Sequence, residues 1–145
     1  LRELKEARKV LLGRFKEDGT RIIVQTMQKI KTELIIGMKR DSVFGVVVVA
    51  GFGGIYTEVF NKVNFYISPL TCTEIKNTLK NGALGFLFNG ERGQDSYNLE
   101  AIANVIYDIA TIGEENPQIS AIDINPLLVY NDNTRDIAVD FKIIL

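Results

Sequence analysis

The residue pattern predicts an α+β fold, a mostly antiparallel sheet with helices packed on one face. Three observations carry this. Apolar residues recur at helical spacing near the start of the chain and twice in its middle. The run Phe44-Gly45-Val46-Val47-Val48-Val49-Ala50 is apolar and largely β-branched. Two more apolar runs close the chain after the helices, so the order is strands, helix, helix, strands rather than a strict alternation.

Each element follows from local pattern. Leu4, Ala7, Val10, Leu11 and Leu12, with Lys and Glu between them, predict an amphipathic helix over 2–16, ended by Asp18-Gly19. Ile22-Ile23-Val24 reads as a short strand, and residues 33–40 as another that ends in charge. Residues 44–50 are expected to form the central strand, buried on both faces. Gly51-Phe52-Gly53-Gly54 breaks it, and residues 55–59 and 63–67 read as further strands. A helix is expected over 71–80 with Thr71 or Thr73 as N-cap, then a glycine-broken stretch to Asn89 and a polar loop over 91–95. Ser96 or Asn98 caps a second helix, 98–112, whose Leu99, Ile102, Ala103, Ile106 and Ile109 share one face. Strands over 119–129 and 136–144 complete the sheet.

The totals bound the function. The 145 residues are one domain's worth and show no repeat, low-complexity tract or linker. Apolar residues are 46% and charged residues 24%, as in ordinary globular domains. Lys+Arg number 17 against 18 Asp+Glu, so no basic excess points to nucleic acid or an anionic membrane. No apolar run reaches membrane-spanning length. Cys72 is the only cysteine, which excludes an internal disulfide and suits a reducing, cytoplasmic compartment. The absence of histidine excludes Ser-His-Asp and Cys-His sites and the usual zinc ligand sets within these residues. The start, Leu1-Arg2-Glu3-Leu4, is no initiator methionine, and the chain is expected to be a piece of a longer protein.

The richest chemical pattern is Ile122-Asp123-Ile124-Asn125-Pro126-Leu127 followed by Ala138-Val139-Asp140-Phe141. Strand alternation puts Asp123 and Asn125 on one face, and the second run returns Asp140 after the polar turn at 131–134. If that turn makes a hairpin, Asn125 and Asp140 sit on neighbouring strands about 5 Å apart at Cα, with side chains on one open face. Hard oxygens so arranged suit Mg²⁺ that also holds nucleotide phosphates. The same spacing fits solvent-facing acids at strand ends, and both readings stand at this point. Gly53 and Gly54 follow a buried strand, where backbone N–H groups can approach an anion, or they form a tight turn. Neither a dinucleotide fingerprint nor a Walker A loop is present. Glu58 lies just beyond, beside that turn or simply on the surface. Lys39 and Arg40 can clamp phosphate or lie in a solvated turn. Gln25 and Thr26 can meet a planar base or be ordinary edge residues.

Taken together, Val24-Gln25-Thr26-Met27, Glu33 to Asp41 (ELIIGMKRD), Phe44-Gly45, Gly51 to Val59 (GFGGIYTEV), Ser68-Pro69-Leu70-Thr71, Asp123 to Leu127 and Ala138-Val139-Asp140 resemble, in order and spacing, the ATP-grasp domain of NDP-forming acyl-CoA synthetases. That family comprises ADP-forming acetate–CoA ligases and relatives of the succinyl-CoA synthetase β subunit. The resemblance runs from about Arg21 to Leu145. It implies that Asn125 and Asp140 are Mg²⁺ ligands with Asp123 beside them. Glu58, Gly53 and Gly54 would face the phosphates of ATP or ADP and the incoming phosphohistidine. Gln25 and Thr26 would touch adenine and ribose, and Lys39 and Arg40 would lie near the phosphate end. The family usually has glutamate where Thr26 stands.

The resemblance further implies that this single domain is the C-terminal lobe of an ATP-grasp domain, inactive alone. Its partners would be an N-terminal lobe carrying the phosphate-binding lysine and the domains or subunit that bind CoA and carry the phosphohistidine. A rival from another class is a ligand-sensing, synthetase-like regulatory domain of a protein lysine acetyltransferase. A plain interaction module would require these motif matches to be coincidence.

Overall fold

The computed structural model describes residues 2–15, 19, 21–54, 63–89, 96–131 and 135–145. It opens with an amphipathic helix, α1 (Arg2–Arg14), none of whose residues is buried. Residues 21–30, expected to begin with a strand, have no regular structure. Exposed along most of its length, this segment is tied to the domain at its end by Tyr130 Oη donating to the Lys29 carbonyl at 2.9 Å and Lys31 Nζ donating to Asn131 Oδ1 at 3.0 Å.

The sheet then begins with β1 (Thr32–Asp41), β2 (Gly45–Phe52) and β3 (Val63–Ile67). Asp41 closes the first hairpin: its Oδ1 accepts from the N–H groups of Val43 and Phe44. Those bonds, Phe44's foremost, hold its carboxyl below the usual range. Helix α2 (Cys72–Asn81) starts in a capping box in which Thr71 Oγ1 accepts from the Glu74 N–H and Glu74 Oε2 accepts from the Thr71 N–H. After a 3₁₀ turn at Gly85–Leu87, helix α3 (Leu99–Glu115) is capped by Asn98. Strands β4 (Ala121–Val129), β5 (Ile137–Ala138) and β6 (Phe141–Ile144) follow. The expected strand at 55–59 and the polar loop at 91–95 lie outside the described residues.

Every pairing is antiparallel, in the order β3-β2-β1-β4-β5, with β6 also paired to β4. The middle of the sheet is therefore β1, not the β-branched run. β2 is buried on one face only: Val46, Val48 and Ala50 are buried while Val47 and Val49 are half-buried. Valines on both faces of β2 mislead because only one face is covered by helices.

That covered face is the core. Leu34, Ile36 and Met38 of β1, Val46 and Val48 of β2, and Ile122, Leu127 and Val129 of β4 pack against Ile75 and Leu79 of α2 and Ile102, Ile106 and Ile109 of α3. The edge strand joins in through Asn64, 6% exposed and the buried polar residue of the core among the described residues. Its Oδ1 accepts from the Ala83 N–H at 2.8 Å, and its Nδ2 donates to the Thr78 carbonyl at 3.3 Å. Nearby, burial pushes the Tyr66 phenol up to about 12.

Candidate functional site

The face of the sheet turned away from α2 and α3 carries the chemistry, and strand register fixes what stands beside what. One row across it reads Lys142, Asp123, Gly37, Val49, Phe65. The row on one side reads Ile144, Ala121, Lys39, Val47, Ile67. On the other side Ile35 pairs with Gly51, and a bulge in the β1–β4 register brings Asn125 and Pro126 opposite Ile35.

Asn125 and Asp140 meet across strands. The register that pairs Leu127 with Ala138 is the same one that pairs Ile124 with Phe141, so Asn125 stands opposite Asp140. The Asn125 N–H donates to the Asp140 carbonyl at 3.1 Å, and the Val139 N–H to the Pro126 carbonyl at 3.1 Å. Asp123 pairs with Gly37, and its carboxylate leans over the sheet there, with Oδ1 3.9 Å from where a Cβ on Gly37 would stand. All three side chains are exposed.

The donor set fits a hard divalent cation. Two carboxylates and an amide offer oxygens, and none of the three side chains has a hydrogen bond or ion pair among the described residues. Nor do the described residues hold a group of three or more His, Cys, Asp or Glu able to enclose a metal. Three oxygens are a partial set, which Mg²⁺ ordinarily completes with water and phosphate. Lys39 and Lys142 rise from the same face and add positive charge on either side of Asp123.

Arg40 is the expectation the structure corrects. It sits one residue out of phase with Lys39, on the helix-covered face. Its Nε donates to the Ile119 carbonyl at 3.2 Å, and its Nη2 donates to the carbonyls of Gly113 at 2.5 Å and Asn116 at 3.2 Å. The guanidinium caps the C-terminus of α3 and is not available to the open face.

The glycine turn stands at the end of β2, where the Gly53 N–H donates to the Glu33 carbonyl at 2.8 Å. Gly54 has φ +62°, and the space a side chain would need there is taken by the Glu33 carboxylate. Glu33 is thus an acid beside this turn, while Glu58 lies outside the described residues. Gln25 and Thr26 are exposed on the segment before β1, not on the sheet. Gln25 lines an apolar groove of about 700 Å³ between that segment and Leu4, Ala7 and Leu11 of α1.

Sequence reasoning passed over Lys142, Glu33 and Gly37. Lys142 was legible as two residues beyond Asp140; the other two needed the register.

Known proteins share this architecture. The chain matches the ATP-grasp domain family over residues 2–145. It is 36% identical over 124 residues to the β subunit of ADP-forming acetate–CoA ligase I of Pyrococcus furiosus, covering 86% of this chain and 53% of that subunit. The chain therefore spans about half the length of that relative. The apo form of the dinucleotide-forming acetyl-coenzyme A synthetase 1 of Ca. Korarchaeum cryptofilum superposes with a TM-score of 0.84 at 33% identity, over 99% of this chain and 66% of that one. A second structure of that synthetase, with coenzyme A and Mg-AMPPCP and a phosphohistidine segment pointing towards its nucleotide-binding site, gives 0.73 at 35% identity, over 81% and 55%.

Proposed function

Since the chain belongs to the ATP-grasp domain family, we propose that it is the C-terminal lobe of the nucleotide-binding domain of a cytoplasmic, ADP-forming acyl-CoA synthetase. The observation that supports this is the backbone bond that brings Asn125 against Asp140 on neighbouring stretches of the sheet, with Asp123 two residues away along β4 and all three exposed. In this reading Asp123, Asn125 and Asp140 hold Mg²⁺ against the phosphates of ATP or ADP. Bound there, the ion supplies the charge neutralisation that phosphoryl transfer needs. Lys39 and Lys142 donate to phosphate oxygens from either side. The Gly53-Gly54 turn and Glu58 border the phosphates, and Gln25 and Thr26 lie where the base enters. Because the chain has no histidine, the residue that exchanges the phosphoryl group with the nucleotide comes from outside it. So do the second wall of the cleft and the acyl and CoA sites, and these residues alone turn over no acyl substrate.

The test is Asp140→Asn in the full-length protein, with nucleotide-dependent phosphorylation followed across a Mg²⁺ titration. The expected result is a loss of about two orders of magnitude or more, and a titration midpoint moved to higher Mg²⁺. Folding should be untouched, since an exposed carboxylate contributes little to it. Unchanged phosphoryl transfer at every Mg²⁺ concentration refutes the metal assignment.

A further inference from the structure

Resting on that reading, we propose that Gly37 is a positioning residue. Its missing side chain is the floor on which the metal-bound phosphate group of a nucleoside polyphosphate sits, directly against the backbone of the middle strand.

A glycine at this place needs a reason. Gly37 lies inside β1, with strand residues on both sides and a paired strand on each flank: Val49 on one, Asp123 on the other. Glycine inside a strand weakens it, because it gives up backbone entropy and packs nothing. Three causes can hold one there. The first is a left-handed backbone, which Gly45 and Gly54 have and Gly37 does not. The second is crowding by the protein itself. A Cβ on Gly37 would meet Val49 Cγ1 at 3.4 Å and the Ile122 carbonyl oxygen at 3.5 Å, ordinary contact distances. Gly113 shows what crowding looks like: a Cβ there would meet Met38 Cε at 3.0 Å and Val46 Cγ1 at 3.1 Å. Among the described residues, neither cause applies to Gly37. The third is the close approach of something outside the chain.

The neighbours say what approaches. In its row the glycine makes a notch one residue wide, walled by Val49 on one side and by the Asp123 carboxylate on the other. Lys39 stands two residues along β1 on the same face, and the Asn125–Asp140 pair begins two residues past Asp123 along β4. A group in the notch touches apolar carbon on one flank, hard oxygen ligands on the other, and an ammonium at one end. A metal-bound phosphate matches the polar flank and its end, and only the lack of a Cβ lets it lie level with the peptide plane.

The test compares Gly37→Ala, Gly37→Val and Asp140→Asn with the wild type in the full-length protein, reading the Kd for Mg·ADP and thermal unfolding. One methyl placed in the notch is expected to weaken Mg·ADP about tenfold, and the branched side chain about a hundredfold. The unfolding temperature of Gly37→Ala should stay level or rise by a few degrees, because alanine suits a strand better than glycine. Weaker binding without loss of stability is a signature that a structural glycine does not give. Wild-type Mg·ADP affinity in Gly37→Ala, with Asp140→Asn impaired, overturns the floor and leaves the metal assignment standing. A marked fall in unfolding temperature for Gly37→Ala also overturns it, because the glycine is then required by packing. If Asp140→Asn too binds Mg·ADP as the wild type does, the parent reading fails first.

Discussion

Removing the Arg40 guanidinium separates two roles, since Lys39-Arg40-Asp41 reads as a phosphate clamp in sequence and as a helix cap in three dimensions. The side chain reaches three carbonyls, those of Gly113, Asn116 and Ile119. Hydrogen bonds to a charged donor are worth about 1.5–3 kcal/mol each. Simple addition overshoots, because one Nη2 serves two acceptors and Arg40 is half-buried, so the Asn116 carbonyl can regain water on truncation. Gly113 is buried and its carbonyl is left without this donor. The positive charge at the C-terminus of a 17-residue helix adds about 0.3–1 kcal/mol. The net cost of Arg40→Ala is therefore expected to be about 2–4 kcal/mol. With a urea slope of about 2 kcal/mol per M, the unfolding midpoint falls by about 1–2 M. Arg40→Lys keeps the charge but loses the planar fork, and should recover about half of the loss. The assay is urea unfolding followed by circular dichroism, with Mg·ADP binding measured on the folded variant. Unchanged binding with lowered stability is expected. Unchanged stability with weakened binding would refute the cap and return the guanidinium to the phosphates.

Two further outcomes follow from the same hydrogen-bond accounting. Thr71→Ala removes one half of the α2 capping box and should cost about 1 kcal/mol at pH 7. The bonds from the Thr71 side chain and then its N–H hold the Glu74 carboxyl below its ordinary 4.5, so this advantage is full above that pH and fades as acid protonates Glu74. Melting curves from pH 7 to pH 3 check it. Asp136 behaves in the opposite sense: burial, partly offset by the bond from the Tyr130 N–H, pushes its carboxyl above the ordinary 3.8, and its Oδ2 is buried with no partner among the described residues. A raised pKa in the folded state means the favourable protonated form is fully present below 3.8 and is lost as pH rises. Asp136→Asn should therefore be at least as stable as the wild type at pH 7, with any gain shrinking towards pH 4 in the same melting series.

What the sequence made legible is what local physics decides. The caps Thr71 and Asn98, the apolar faces of α2 and α3 and the runs that became β1, β2 and β4 depend on neighbours within a few residues. That Asn125 and Asp140 meet along the backbone was legible for the same reason, because a short turn joins the two runs. What stayed hidden depends on contacts far apart in sequence. Whether both faces of β2 are covered is settled by where α3 lies, and the valines on both faces say nothing of that. Arg40 looked like its neighbour Lys39, yet alternation sends the two to opposite faces, and only the position of Gly113 and Asn116 shows what Arg40 meets. Ile22-Ile23-Val24 has the composition of a strand, but no described strand pairs with it. Gly37 is mute in sequence, because its meaning lies in the two residues that flank it on other strands.

On the proposed function, the open face divides into two halves that each need a second wall. At the β3 edge it presents Val63, Phe65 and Ile67, which are 43%, 66% and 49% exposed. At the β4–β6 side it presents Asp123, Asn125, Asp140 and Lys142, all exposed. In water each half is weak alone. The apolar half leaves Val63, Phe65 and Ile67 exposed, and Mg²⁺ parts reluctantly with its waters for two solvated carboxylates and an amide. A nucleotide changes the polar half by adding its own phosphate oxygens to the coordination shell, so metal and nucleotide strengthen each other's binding. A second wall changes both halves: it covers the apolar edge and lowers the dielectric around the charges. An ion pair worth about 1 kcal/mol at 4 Å in bulk water is worth about 4 kcal/mol at an effective dielectric of 20. On the proposed function that wall is the other lobe. The sparse ligand set is then no deficiency: three oxygen donors on one rigid sheet leave the remaining coordination positions for the nucleotide and solvent.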